Sequence, residues 1–248
     1  MKNSNLKIGI IGYGSMGKEL EAVAKEQQVI ITDIFDIDRP IDGNSQYKFD
    51  VAIDFSHSDA VPENIKVLCK LKKNIVLGTT GWENHFHLIK KEIENSGTGF
   101  IYGSNFSIGV QIFQKIVKYS CSLLNYIDGY DIMLFEAHHK RKKDSPSGTA
   151  LKLADIIIKN VNKKMFYSCE PIQGAIPSEM LHITSLRGGE IIGNHSVIID
   201  SLQDSIELTH RAKNRRGYAI GAIYAARWIY KKKGFYEIND MLDTLWEK

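Results

Sequence analysis

The sequence predicts an α/β protein in two parts: a parallel sheet covered by helices on both faces, then a smaller α+β region with a mostly antiparallel sheet. Three observations lead there. Apolar, β-branched runs alternate with amphipathic stretches over residues 1–106. The first of those runs ends in Gly12-Tyr13-Gly14-Ser15-Met16-Gly17 and opens a helix. Beyond residue 180, three strand-like pieces follow one another with no helix between them. Strand, helix, strand in repetition favours parallel pairing, because each crossover lays a helix on a sheet face.

Residues 6–11 form the first expected strand, and a helix follows from 18 to about 26. Residues 29–35 make a second strand ending at Asp36. FDVAIDF at 49–55 is a third, followed by a polar turn and a helix around 60–70. Residues 74–77 lead into Gly78-Thr79-Thr80-Gly81 and an amphipathic stretch at 85–95. A fifth short strand, 100–102, ends at Gly103-Ser104-Asn105-Phe106. The rhythm then changes to a helix at 110–124, a strand at 130–136, a basic segment and a helix at 149–160. The strand-like pieces 181–186, 191–200 and 205–210 come next, with Arg187-Gly188-Gly189-Glu190 expected to turn a hairpin between the first two. A helix at 217–231 carries Ala219, Ala222, Ala225 and Ala226 on one face, suited to packing back on the first part. The expected division is therefore residues 1–106 completed by 214–248, and residues 107–213.

Composition narrows the function classes. A hydrophobic fraction of 43% and a charged fraction of 25% are those of an ordinary globular chain. The formal charge is only +3, yet basic residues gather at 140–143 and 211–216, which suits an anionic small molecule as well as nucleic acid. Cys69, Cys121 and Cys169 are scattered, with no C-x-x-C pair, which argues against a disulfide framework and a structural zinc site. No metal is expected. The first apolar run is broken by Gly9, Gly12 and Gly14, so neither a signal peptide nor a membrane span is expected, and a cytoplasmic setting follows.

Gly12-x-Gly14-x-x-Gly17 carries weight because it follows a strand and opens a helix. Glycines there let the backbone turn tightly and approach a pyrophosphate, which the N–H groups of a helix start can hold. Asp36 closes the second strand about twenty residues on, where a carboxylate holds ribose hydroxyls. The expected fold of this part is Rossmann-type. Gly12, Tyr13, Gly14, Ser15, Met16, Gly17 and Asp36 are its candidate cofactor contacts, joined by Gly78, Thr79 and Thr80 and by Gly103, Ser104, Asn105 and Phe106 at other strand ends. Asp36 disfavours a 2′-phosphate and Arg39 could bind one, so NADH and NADPH both stay open.

The segment from Glu136 to Thr149 is dense in groups that can do chemistry. It begins with His138 and His139 at a strand end, contains Lys142, and stops at Pro146-Ser147-Gly148-Thr149 opening a helix. A Ser/Gly/Thr turn at a helix start makes a ready carboxylate site, strengthened by nearby cations. An anionic substrate beside a proton donor is the natural physical reading.

E-x-H-H-x-x-K-x-D-x-P-S-G-T-A, here Glu136 to Ala150, resembles the signature of the dihydrodipicolinate reductase family. The resemblance extends to the amino-terminal glycine loop, Gly78–Gly81, Ser104–Val110, Arg187-Gly-Gly-Glu190 with Gly193-x-His195, and Glu207-Leu-Thr-His210-Arg211-Ala212. It implies an NAD(P)H-dependent reduction in lysine and diaminopimelate biosynthesis, with a hydride passing to a cyclic imine dicarboxylate. His138 and Lys142 would be the catalytic proton donors, and His139, Gly148 and Thr149 would bind the substrate's carboxylates. A homotetramer is implied as well. The sequence departs from the family pattern in its short glycine loop, where Ser15 and not an arginine precedes Met16. Two other readings compete with it: a small dehydrogenase acting on an amino-acid-like substrate, and a dinucleotide-sensing protein using its cations on nucleic acid. The second lacks a recognition helix or stacking aromatics near those cations, and His85-x-His87 points its two rings apart on a helix.

Overall fold

A computed structural model describes residues 6–246. In chain order the elements are β1 (Lys7–Ile11), α1 (Ser15–Glu26), β2 (Ile30–Phe35), β3 (Val51–Asp54), α2 (Val61–Lys70), β4 (Asn74–Leu77), α3 (Phe86–Ser96), β5 (Gly99–Tyr102), α4 (Ile108–Leu124), β6 (Asp131–His138), α5 (Gly148–Asn160), β7 (Phe166–Ser168), β8 (Met180–Arg187), β9 (Gly193–Asp200), β10 (Ser205–Ala212), α6 (Arg216–Ile229), β11 (Gly234–Glu237) and α7 (Ile238–Trp246). They form two compact units, one ending at Ser107 and resuming at Arg215, the other spanning Ile108–Asn214. Among the described residues, no helix is long and apolar enough to cross a membrane.

The first unit is built on a six-stranded sheet in the order β11-β5-β4-β3-β1-β2, every pairing parallel. Strand β3 is buried along its whole length and β4 along all but its first residue, which is why the sequence shows continuous apolar runs there instead of alternation. The chain enters at β1 and adds β2 on one side and β3 on the other. The loop after β1 therefore sits at the switch point of the sheet, where ligands bind in open α/β folds. Helix α1 begins at Ser15, three residues earlier than the apolar pattern predicts, so Ser15, Met16 and Gly17 are its first turn. Helix α6 packs against α1 and strands β3 to β5, with Ala219, Ala222, Ala225 and Ala226 fully buried. A side chain at Gly221 would run into the carbonyl oxygen of Phe106, so this helix crosses the chain at backbone distance. Strand β11 and helix α7, which the sequence did not suggest, finish the unit; a four-residue, half-buried edge strand leaves no periodic signal.

The second unit holds a five-stranded sheet in the order β10-β9-β6-β8-β7. It is antiparallel across β10, β9 and β6, and parallel across β6, β8 and β7. Helices α4 and α5 cover one face, where Phe113, Val117, Cys121, Leu153 and Ile157 meet Ile132, Leu134, Leu181, Ile183, Val197 and Ile199. Each such side chain contributes on the order of 1.5–3 kcal/mol by leaving water.

One expectation fails here. Residues 187–190 do not turn a hairpin, because β8 and β9 are not neighbours: β6 lies between them and pairs with both. The connection instead passes over the end of β6, where Gly188 N–H donates to the His138 carbonyl (3.0 Å) and His139 N–H to the Ile191 carbonyl (2.7 Å). A Gly-Gly turn looks the same in sequence whether its flanking strands pair or straddle a third. Only the insertion of β6 decides between the two.

Candidate active site

In the first unit the ligand-facing surface is mostly backbone. Gly12 has φ +84°, and a Cβ there would lie 2.5 Å from the Phe55 carbonyl oxygen, so both conformation and space demand glycine. A Cβ at Gly17 would press on the Gly12 carbonyl oxygen, whereas one at Gly14 would meet nothing within 4 Å. Gly14 thus borders open space at the start of α1, whose N-cap has no side-chain hydrogen bond. A cavity of about 280 Å³ adjoins it, lined by residues that include Gly12, Gly14, Asp36, Ser56 and His57. An open glycine edge, a helix start and an exposed carboxylate across a cavity fit a dinucleotide's pyrophosphate and ribose.

Tyr13 is drawn aside to Glu21, and Ser15 is exposed. Arg39 meets Asp36 through backbone hydrogen bonds of 2.9 and 3.1 Å, while its guanidinium lies 3.7 Å from Asp33 and 5.7 Å from the Phe35 ring centroid.

The remaining strand-end loops of this unit are tied together by a residue that the sequence reading passed over. Asp54 is fully buried at the end of β3; its carboxylate accepts the Ser56 N–H (2.8 Å), the Thr79 hydroxyl (3.1 Å) and the Asn64 amide (3.0 Å). Burial raises its pKa, against the pull of those donors. The signal was an acid inside an otherwise apolar strand. Thr79 is thereby fixed, while Thr80 and Ser104 are exposed. Gly78 lies under the Phe55 ring, Gly103 against Ile238, and Asn105 accepts the Ser107 N–H at 2.8 Å. Phe55 and Phe106 meet edge to face at 6.4 Å.

The second unit builds its polar site from side chains in cross-strand register. On the helix-covered face, the row Leu134, Val197, Leu208 and Ile183 is apolar. One step toward the end of β6, the row becomes Glu136, His195, His210 and Ser185, and the next pairs His138 with Arg187. Residues two apart on a strand share a face, so Glu136 and His138 stand side by side. The Glu136 carboxylate contacts His138 Nδ1 through one oxygen. The other oxygen pairs with Arg187 (2.7 Å) and accepts the Ser147 N–H (3.4 Å). Burial would raise the Glu136 pKa, but its bonds to His138 and Arg187 outweigh that and hold it down to about 2. Arg187 also reaches the Asp144 carbonyl (2.7 Å), and the Asp144 carboxylate pairs with Lys142 (2.8 Å). His195 packs edge-on to His138 at 5.1 Å and lies 3.1 Å from the Ser147 hydroxyl. Burial first, then the neighbouring His138, pushes its pKa down to about 3, so it is neutral.

The structure brings His138, Lys142 and the start of α5 into this one unit. Ser147 caps α5 by accepting the Ala150 N–H (3.2 Å), and Gly148 faces open space. His139 lies just past β6, with its Nδ1 buried and without a hydrogen-bond partner among the described residues. Glu136, His138 and His195 each present a ligand atom within 4.8 Å of the others. The Arg187 guanidinium already supplies the positive charge beside Glu136, so the cluster is a hydrogen-bonded acid–base group. The sequence places Arg187 only in an expected turn and Ser147 only in the turn that opens a helix, and does not bring either of them, or His195, to Glu136. They meet through strand register, which local pattern does not carry. Lys140 and Lys143 are exposed, and Arg141 pairs with exposed Glu190.

A parallel-sheet dinucleotide unit joined to a unit with a buried Glu–His pair, a lysine and an open helix start defines a Rossmann-type reductase that uses a nicotinamide dinucleotide. Comparison with known proteins is more specific. The chain belongs to the dihydrodipicolinate reductase family: the model of its N-terminus matches residues 6–106 and that of its C-terminus residues 109–242. A 4-hydroxy-tetrahydrodipicolinate reductase of Christiangramia forsetii is 34% identical over 98% of this chain and 100% of the relative. One from Methanocaldococcus jannaschii is 36% identical over 94% of this chain and 80% of the relative. Among solved structures, the dipicolinate-bound dihydrodipicolinate reductase of Paenisporosarcina sp. TG-14 shares the fold with a TM-score of 0.72 at 21% identity, over 95% of this chain and 99% of that one. The family is one of oxidoreductases in lysine and diaminopimelate biosynthesis.

Proposed function

We propose that this chain reduces the cyclic imine formed by dehydration of 4-hydroxy-tetrahydrodipicolinate to tetrahydrodipicolinate, with His138 and Lys142 as its proton donors. The observation that carries the reading is the buried Glu136–His138 pair, linked through Arg187 and Asp144 to Lys142 and through the Ser147 N–H to the start of α5, all within the stretch matched by the family's C-terminal model. A nicotinamide dinucleotide held by the first unit's glycine loop would supply the hydride. His138 gives a proton to the electron-rich enamine left by that addition, and Lys142, held by Asp144, acts as a second donor. One substrate carboxylate is met by the backbone at Gly148 and Thr149 at the start of α5. The other is met by His139, which lies just past the end of β6.

Gly12 to Gly17, Asp36, Gly78 to Thr80 and Gly103 to Phe106 line the coenzyme in this reading. NADH is the better of the two coenzymes, because Asp36 repels a 2′-phosphate and the Arg39 guanidinium is turned toward Asp33 and Phe35. The enzyme acts in the cytoplasm as a homotetramer joined through the second unit's sheet: α4 and α5 cover one face of that sheet, and the other carries the exposed Leu186 and half-buried Phe135 and Ile198. The deciding test is an assay coupled to dihydrodipicolinate synthase with each coenzyme in turn. Oxidation of both, faster with NADH, is expected; no oxidation of either overturns the reading.

A further inference from the structure

We propose that Glu136 is the positioning residue of the proton transfer and Gly193 its clearance. Glu136 holds the His138 ring with a proton on Nδ1, so that Nε2, standing over Gly193, is the nitrogen that exchanges a proton with substrate. This rests on the reading of His138 as the acid, and it assigns the step to one atom of that ring.

Three observations carry it. First, Glu136 is completely buried yet ionised, its carboxylate held by Arg187 at 2.7 Å and the Ser147 N–H at 3.4 Å. An ionised carboxylate only accepts hydrogen bonds, so the His138 Nδ1 against it must carry the hydrogen. Secondly, the opposite nitrogen has room because of one residue. A Cβ built on Gly193 would sit 3.1 Å from His138 Nε2 and 3.7 Å from His195 Cε1. Gly193 is a strand residue with ordinary negative φ, so its backbone would accept any side chain. Glycine there spares the His138 ring a tight contact, and the reason is space, not conformation. Thirdly, the neighbouring histidine does not compete for the role. His195 is buried and neutral, and its Nε2 is engaged with the Ser147 hydroxyl.

The groups around His138 are Glu136 on its own strand, Arg187 on β8 and His195 on β9, with Asp144 and its partner Lys142 joined to Arg187 in the following loop. When the substrate carbon takes the proton, a C–H bond forms as the Nε2–H bond breaks. The nitrogen keeps the electron pair, and the ring is left neutral with hydrogen on Nδ1, still donated to Glu136. Solvent then restores the Nε2 proton. Throughout the cycle the Glu136 carboxylate keeps its charge, as a partner that holds the Nδ1 hydrogen without taking it.

The test uses the full-length enzyme with Glu136→Gln, Glu136→Asp and Gly193→Ala, read by the pH profile of kcat/KM and by ¹⁵N spectra of labelled histidine. In the wild type, neutral His138 should be the Nδ1–H tautomer. Glu136→Gln should lower kcat/KM by roughly 10–100-fold and move the histidine limb of the profile to lower pH, with NADH affinity unchanged. Glu136→Asp should recover part of the rate and of the pH shift. Gly193→Ala should lower kcat about tenfold while leaving tautomer and limb in place. An Nε2–H tautomer in the wild type, or a Glu136→Gln enzyme whose pH profile is unmoved, overturns the proposal. If Glu136→Gln does not fold, the wild-type tautomer and Gly193→Ala still decide. A pH profile unchanged by His138→Gln would instead sink the assignment of His138, whatever the tautomer proves to be.

Discussion

The candidate cofactor region and the candidate substrate region of this chain are made of different material. In the first unit the surface is backbone: glycines at 12, 14 and 17, and the start of α1, supplied by residues consecutive in sequence. In the second it is side chain: Glu136 and His138 from β6, Arg187 from β8, His195 from β9, and Lys142, Asp144 and Ser147 from the loop before α5. A backbone site depends on what is missing at its glycines and is indifferent to most neighbouring side chains. A side-chain site depends on what is present, and on charges that must be paired because they are buried.

The largest expected effect tests the second region. His138→Gln should cut kcat by about 10²–10⁴-fold, with the dissociation constant for NADH, read by fluorescence, nearly unchanged. Loss of NADH binding in step with kcat would mean that the two regions are not separable. Next comes the first region. Gly12→Ala forces a side chain to φ +84° and against the Phe55 carbonyl, and should weaken NADH at least about tenfold and cost about 1–3 kcal/mol in chemical denaturation. Ser15→Ala keeps the backbone that the reading gives to the coenzyme and removes only an exposed hydroxyl, so it should change neither by as much as about twofold. If Ser15→Ala proves as damaging as Gly12→Ala, the backbone description fails.

Acid should act on the second region first. His195 takes up its proton only in the unfolded chain between its ordinary value of 6.5 and about 3, so the unfolded chain binds more protons across that window and stability falls as pH drops through it. Glu136 adds to the loss below 4.5, since its native pKa is near 2 and the unfolded chain protonates first. Denaturation midpoints should therefore decline below pH 6.5, with a slope approaching about 1.4 kcal/mol per pH unit for the histidine alone. His195→Asn should flatten the upper part of that decline. The smallest effect belongs to the basic run. Arg141→Ala removes an exposed pair with Glu190 and should leave kcat and the melting temperature unchanged, with KM altered by less than about twofold.

The same contrast explains what could be read before any coordinates. Gly12-x-Gly14-x-x-Gly17 between a strand and a helix is a local arrangement, and its place at the end of β1 follows from apolar periodicity and glycine spacing alone. The His138-His139 pair and the Ser147-Gly148-Thr149 turn are likewise local: one is a strand end, the other a helix start. Strand β11 was missed because four half-buried residues carry no period. Asp54 was missed because one acid in an apolar strand does not announce its three donors.

The sequence by itself therefore determined the parallel α/β first unit, the α+β character of the second, the glycine turn and the chemical segment, since each is set by residues within a few positions of one another. Tertiary structure alone decided that β6 lies between β8 and β9, so that the Gly188-Gly189 connection passes over His138 instead of closing a hairpin. It also decided that Arg187 and His195 reach Glu136 from either side. Those contacts join residues some fifty positions apart, and they exist only once burial of the apolar rows beneath has fixed the register of the strands.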